Sequence, residues 1–136
     1  MAASPQFITT AALGQVLLTT ANANRDGTGT IGTVLTAGAS GSEVWWVRIK
    51  ARGATTAGMI RLFLHDGTTY RGLLTEVAVE ARTPSATVPS VEYTVPLLMP
   101  VTGETTSPLV LPNLWSLRAA TEKGEQFDVI AVGGNY

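Results

Sequence analysis

The one histidine of this 136-residue chain, His65, is followed directly by an aspartate, Asp66. A base and an orienting carboxylate are two thirds of a nucleophilic triad, so this pair is the first place to look for chemistry. Adjacent residues on a strand point to opposite faces, which keeps the two from forming a base–orienter hydrogen bond. The run Asp66-Gly67-Thr68 is hairpin chemistry instead, because Asp and Gly both tolerate positive φ. His65 therefore reads as a solvated turn residue at a strand end. The same triplet recurs at Asp26-Gly27-Thr28 and reads as a second turn, not as an internal repeat.

Gly27-Thr28-Gly29-Thr30-Ile31-Gly32 has the glycine spacing of a dinucleotide loop. That chemistry needs a strand before the loop and a helix N-terminus after it, where amides and the helix dipole meet a pyrophosphate. Here polar Ala21-Asn22-Ala23-Asn24-Arg25-Asp26 precedes and strand-like Thr33-Val34-Leu35-Thr36 follows, so the segment reads as a loop between strands. The carboxylates Asp26, Asp66, Glu76, Glu80 and Asp128 are scattered. Glu76 and Glu80 share a strand face about 13 Å apart, too far for a glycosidase pair. No Asp-x-Asp-x-Asp spacing suggests calcium. With no Cys, a thiol nucleophile, a thiolate metal site and a disulfide are excluded, and a single His speaks against a zinc set. The expectation is a non-enzyme with no catalytic, cofactor-binding or metal-binding residues.

The elements that would position any site are strands. Glu43 to Arg52 alternates, with Trp45, Val47, Ile49 and Ala51 expected inward and Trp46, Arg48, Lys50 and Arg52 outward. Met59 to His65 places Ile60, Leu62 and Leu64 on one side. Leu73 to Ala81 places Leu73, Thr75, Val77 and Val79 inward and Glu76 and Glu80 outward. Val91, Tyr93, Val95 and Leu97 alternate again, with Pro96 marking an edge or bulge. Gln15–Thr20, Ile31–Ala37, Leu109–Leu111, Leu114–Ala120 and Gln126–Val132 complete the set. About eight short strands at spacings of ~8–12 residues predict an all-β antiparallel β-sandwich, jelly-roll-like, with an up-and-down barrel as the competing closure. Residues 15–136 form this domain, and residues 1–14, with Pro5 and no strong pattern, read as an extended N-terminal arm.

Bulk properties narrow the partners. Nine Lys and Arg against ten Asp and Glu give a net charge of −1, without the basic excess of a phosphate-binding surface, so no nucleic acid is expected. No run approaches the ~20 apolar residues that span a bilayer, so no membrane is expected. The N-terminus lacks the basic and apolar regions of a signal peptide. Charged residues make up 14% of the chain against ~25% in ordinary soluble domains, which suits a surface partly covered by neighbours. The unusual face is Trp46, Arg48, Lys50 and Arg52, which reads either as a solvated strand face with the Trp half covered by Arg and Lys stems or as a contact for an acidic protein surface, a sugar or nucleic acid. Together with Pro5, Phe7 and Ile8 of the arm, these residues form the candidate partner interface.

Several stretches carry a family likeness: Asn24-Arg-Asp-Gly-Thr-Gly-Thr-Ile, Thr55-Thr-Ala-Gly-Met-Ile-Arg-Leu-Phe-Leu-His-Asp-Gly-Thr, Leu109-Val-Leu-Pro, Leu114-Trp-Ser-Leu-Arg-Ala-Ala-Thr-Glu-Lys and Phe127-Asp-Val-Ile-Ala-Val-Gly-Gly-Asn-Tyr. Over residues 15–136 the chain resembles small virion structural proteins of tailed bacteriophages, most of all capsid decoration (cement) proteins. The resemblance implies a protein made in the host bacterial cytoplasm and seated on the capsid exterior. Its implied partners are the major capsid protein and copies of itself, as homotrimers reaching across capsomer seams with the N-terminal arm. It equally accommodates a tail, neck or fibre-associated module. Outside that family, a carbohydrate-binding module built on Trp46 is the competing reading. Deleting residues 1–14 is expected to spare folding and weaken capsid binding.

Overall fold

The computed structural model describes residues 7–100 and 106–136. It contains ten strands: β1 (Thr10–Leu18), β2 (Gly32–Thr36), β3 (Ser42–Ala51), β4 (Gly58–His65), β5 (Arg71–Val79), β6 (Glu92–Pro96), β7 (Leu98–Pro100), β8 (Thr106–Leu111), β9 (Ser116–Thr121) and β10 (Phe127–Asn135). No helix occurs among the described residues. One sheet runs β1-β10-β3-β8-β7, with β6 also paired to β3, and the other runs β2-β9-β4-β5. All these ladders are antiparallel.

The two sheets bury their inner faces against each other as a β-sandwich. Val44, Val47 and Ile49 of β3 and Phe127, Val129 and Ala131 of β10 meet Ile60 and Leu62 of β4 and Leu117 and Ala119 of β9. Period-two alternation of apolar residues places these strands, as expected from the sequence.

Three expectations are corrected. The arm boundary at residue 14 falls inside β1, which begins at Thr10 and pairs with β10 from Thr10↔Asn135 to Leu18↔Phe127. Thr10-Ala11-Ala12-Leu13-Gly14 carries too few apolar side chains to show alternation, and Gly14 has to be small. A Cβ on Gly14 would stand 2.1 Å from the Val34 carbonyl oxygen of β2. Residues 1–6 of the expected arm, Pro5 among them, lie outside the described residues.

The second correction concerns β3. Its register against β10 steps from Trp46↔Val132 to Val44↔Gly133, making Trp45 the extra residue of a β-bulge. Val44 points into the core, and Trp45 is 37% exposed rather than inward. In β5 the ladder steps from Leu62↔Thr75 to Phe63↔Leu73, so Leu74 is the extra residue. Leu74 packs on the core and Leu73 is exposed, the reverse of the simple alternation.

Candidate interaction face

The outer face of the six-stranded sheet is organised in cross-strand rows. Leu13 pairs with Val132, Val132 with Trp46, and Trp46 with Pro96, so four apolar side chains line up across four strands. One row along, Gln15, Ile130, Arg48 and Thr94 are aligned, and the next row holds Leu17, Asp128, Lys50 and Glu92. The face therefore grades from apolar to charged within about 14 Å, at ~3.4 Å per residue.

At the apolar end, Trp45, Trp46, Arg48, Thr94 and Pro96 line a shallow hollow of about 370 Å³. The Arg48 guanidinium lies 5.9 Å from the centre of the Trp46 ring, a cation–π arrangement. The bulge that turns Trp45 outward also lets its Nε1 donate to Glu43 Oε1 at 2.8 Å. The Tyr136 hydroxyl donates to the other Glu43 oxygen at 2.6 Å. That hydrogen bond, with burial and the carboxylate charge, raises the Tyr136 phenol above its ordinary pKa.

The basic row expected on β3 is present but not free. Arg52 forks onto Asp128 of β10, with Nε donating at 2.8 Å and Nη2 at 3.1 Å. Arg48 and Lys50 both approach Glu92 of β6, at 3.8 and 3.9 Å. Asp128 and Glu92 are distant in sequence and are set opposite these cations by strand register. The outer face is thus nearly neutral, and what distinguishes it is the apolar row.

Of the arm residues, Ile8 lies over Gly134, where a Cβ would meet Ile8 Cγ2 at 2.4 Å. Gly134 follows Val132 by two residues, so Ile8 covers the same outer face as Trp46. Phe7 is 76% exposed at the start of the described chain.

The other sheet hides its outer face. Segment 19–31 folds back across it, tied by Asn22, whose Nδ2 donates to Thr28 O at 2.9 Å and Thr30 O at 3.0 Å. Beneath it, Arg61 is 3% exposed and donates from Nε to Glu76 Oε2 at 3.1 Å. Arg25 of the segment donates to the same oxygen at 3.0 Å. The Arg25 hydrogen bond, helped by Arg61, holds the Glu76 carboxyl below its ordinary pKa. Sequence reasoning missed this cluster and read Glu76 as simply outward. The signal was there in Ile60-Arg61-Leu62-Phe63-Leu64, a run without alternation that marks a strand buried on both faces.

His65 is buried, not solvated, and its Nδ1 accepts from the Gly67 amide at 2.9 Å. Asp66 Oδ1 accepts from the amides of Thr68, Thr69 and Tyr70 at 2.9 to 3.0 Å. These bonds, led by Thr68, lower its pKa. Asp26 repeats the device, accepting from the Thr28 hydroxyl at 2.6 Å and amide at 3.0 Å. Gly27 and Gly67 hold φ of 83° and 93° in the two turns. Ser116 lies opposite His65 in the β4–β9 ladder, but its Oγ accepts from Arg118 Nε at 3.0 Å. Histidine, aspartate and serine are therefore each committed to a local bond. A cleft of about 300 Å³ beside them is lined by Gly27, Gly29, His65, Arg71 and Arg118. Among the described residues no three His, Asp or Glu side chains gather as a metal set.

No protein-family model matches the chain, and no curated protein matches it.

Proposed function

We propose that this protein is a non-enzymatic structural component of a tailed-phage virion, a capsid decoration (cement) protein. It binds the outer surface of the major capsid lattice through the outer face of the six-stranded sheet and stabilises the head. The observation that carries this reading is the row Leu13–Val132–Trp46–Pro96, an apolar strip on the outer face of the sandwich, exposed at Leu13 and Pro96 and half-buried at Val132 and Trp46. Flat sheet faces suit flat partners, and an aromatic anchor in a hollow is the usual centre of a protein interface. The resemblance of residues 15–136 to virion proteins points the same way.

Burying a side chain such as Trp46 or Val132 contributes about 1.5–3 kcal/mol each. Contacts of that size, repeated across a lattice whose subunits are already fixed, stabilise the shell without any single tight bond. The ion pair Arg52–Asp128 and the Glu92 carboxylate shared by Arg48 and Lys50 offset most of the charge on the rest of the face, so a partner need supply little matching charge.

The test is binding of purified protein to heads that lack it. Pro96→Glu and Trp46→Ala are expected to weaken binding ~10–100-fold while the fold is kept. Unchanged occupancy by both variants would overturn the assignment of the face. High copy number per particle fits cement, and a handful of copies would move the protein to the tail or neck. Glycan binding abolished by Trp46→Ala would instead make the hollow a sugar platform.

A further inference from the structure

β1 and β2 are the edge strands on one side of the sandwich, and neither carries a charge or a proline: Thr-Ala-Ala-Leu-Gly-Gln-Val-Leu-Leu and Gly-Thr-Val-Leu-Thr. The opposite edges are blunted. β5 carries Arg71 and Glu76, and β7 is only three residues long, with Leu98 opposite Pro108 of β8. Edge strands present unpaired N–H and C=O groups, and proteins guard them with charges, prolines or bulges. β2 has such a bulge, between Thr33 and Leu35, and β1 has none. A groove of about 440 Å³ runs beside β1, lined by residues 11–15 and 34–36 with Asn135. On the outer face of that unguarded strand, Leu13 is 74% and Leu17 38% exposed.

We propose that β1 is a like-to-like strand-addition site. The β1 of a second copy pairs antiparallel with it about a two-fold axis at Gln15. Leu13 and Leu17 sit two residues either side of Gln15, so this one register sets each copy's Leu13 against the other's Leu17 and covers all four leucines. Gln15 meets its own mate, where two amides can exchange hydrogen bonds. Even-numbered residues keep facing the core, so Ala12 and Leu18 stay buried. A two-fold sets side chains near the axis against their own kind, which a charged strand would resist and β1 does not.

The axis stands perpendicular to the sheet, so both outer faces lie on the same side and form one continuous surface. The pairing closes at two copies, and the trimer implied by the family resemblance would leave β1 free. This inference does not rest on the virion reading, because it is tested on the protein alone.

The experiment is sedimentation and light scattering of the full chain across a concentration series, with folding checked by circular dichroism. The expected particle is about twice the 14.2 kDa chain mass. The double variant Leu13→Glu/Leu17→Glu places like charges opposite each other and is expected to shift dissociation at least 100-fold toward monomer. Leu13→Glu/Leu17→Lys places opposite charges across the axis and is expected to restore the pair. Both leucines are exposed in the isolated chain, so both variants fold. A wild-type monomer at all concentrations, a trimer, or a dimer indifferent to the Glu/Glu variant would each overturn the proposal. So would failure of the Glu/Lys variant to recover association.

Discussion

Replacing Gly14 by alanine separates strand propensity from the packing seen here. In an ordinary strand the change stabilises by about 0.5–1 kcal/mol, because glycine loses more freedom on folding. At this position the added Cβ would stand 2.1 Å from the Val34 carbonyl oxygen and 2.8 Å from Leu35 Cβ. Carbon–oxygen contacts normally settle near ~3.3 Å, so β1 and β2 must part by about 1 Å. Both obstructing groups are backbone or Cβ, and neither can swing aside. Val34 and Leu35 are buried, and parting the strands loosens the part of the core they share with Ala12 and Val16. A loss of about 3 kcal/mol is expected, at the upper end of overpacking costs. In urea denaturation the midpoint falls at unchanged slope, and the melting temperature drops by about 10 °C. Gly53→Ala is the control, since nothing lies within 4 Å of its added Cβ. An alanine at 14 as stable as wild type would falsify the close crossing of β1 and β2.

Other outcomes follow from the same structure. Deleting residues 1–9 leaves β1 whole and the protein folded, whereas deleting 1–14 removes part of β1, uncovers Val34 and Leu35, and lowers the thermal midpoint sharply. The depressed carboxyls of Glu76, Asp66 and Asp26 contribute stability above the ordinary carboxylate range, and it is lost as pH falls through their lowered folded values. Denaturation midpoints should therefore decline below pH ~4, and Glu76→Gln should be less stable at neutral pH with a flatter acid limb. An unchanged acid limb would count against the Arg25–Glu76–Arg61 cluster. Asn22→Ala removes the tie on segment 19–31 and costs about 1–3 kcal/mol, with amide exchange rising first in residues 22–30.

Fold class was legible because β3, β6 and β10 bury or half-bury alternate residues and an Asp-Gly turn joins β4 to β5. Both Asp-Gly-Thr turns form through side-chain acceptance of backbone amides, chemistry that needs only neighbouring residues. What the sequence hid was everything set by register. The row Leu13–Val132–Trp46–Pro96 draws one residue from each of four strands, and no window along the chain contains it. The ion pairs that partly offset Arg48, Lys50 and Arg52 reach to Glu92 and Asp128 for the same reason. The start of β1 was obscured by its small residues, which strand patterning ignores, and one of them, Gly14, is required by the close approach of β2. The bulge at Trp45 broke the phase of a strand that otherwise alternates cleanly. His65 went from solvated to buried because a remote segment, 19–31, covers the face on which it sits.

A particle reconstruction of virions carrying this protein tests its place on the capsid. Density for many copies is expected on the capsid exterior, each with Trp46, Pro96 and Val132 turned toward the major capsid protein. Density confined to the tail or neck, or copies seated with the six-stranded sheet's outer face toward solvent, would contradict it.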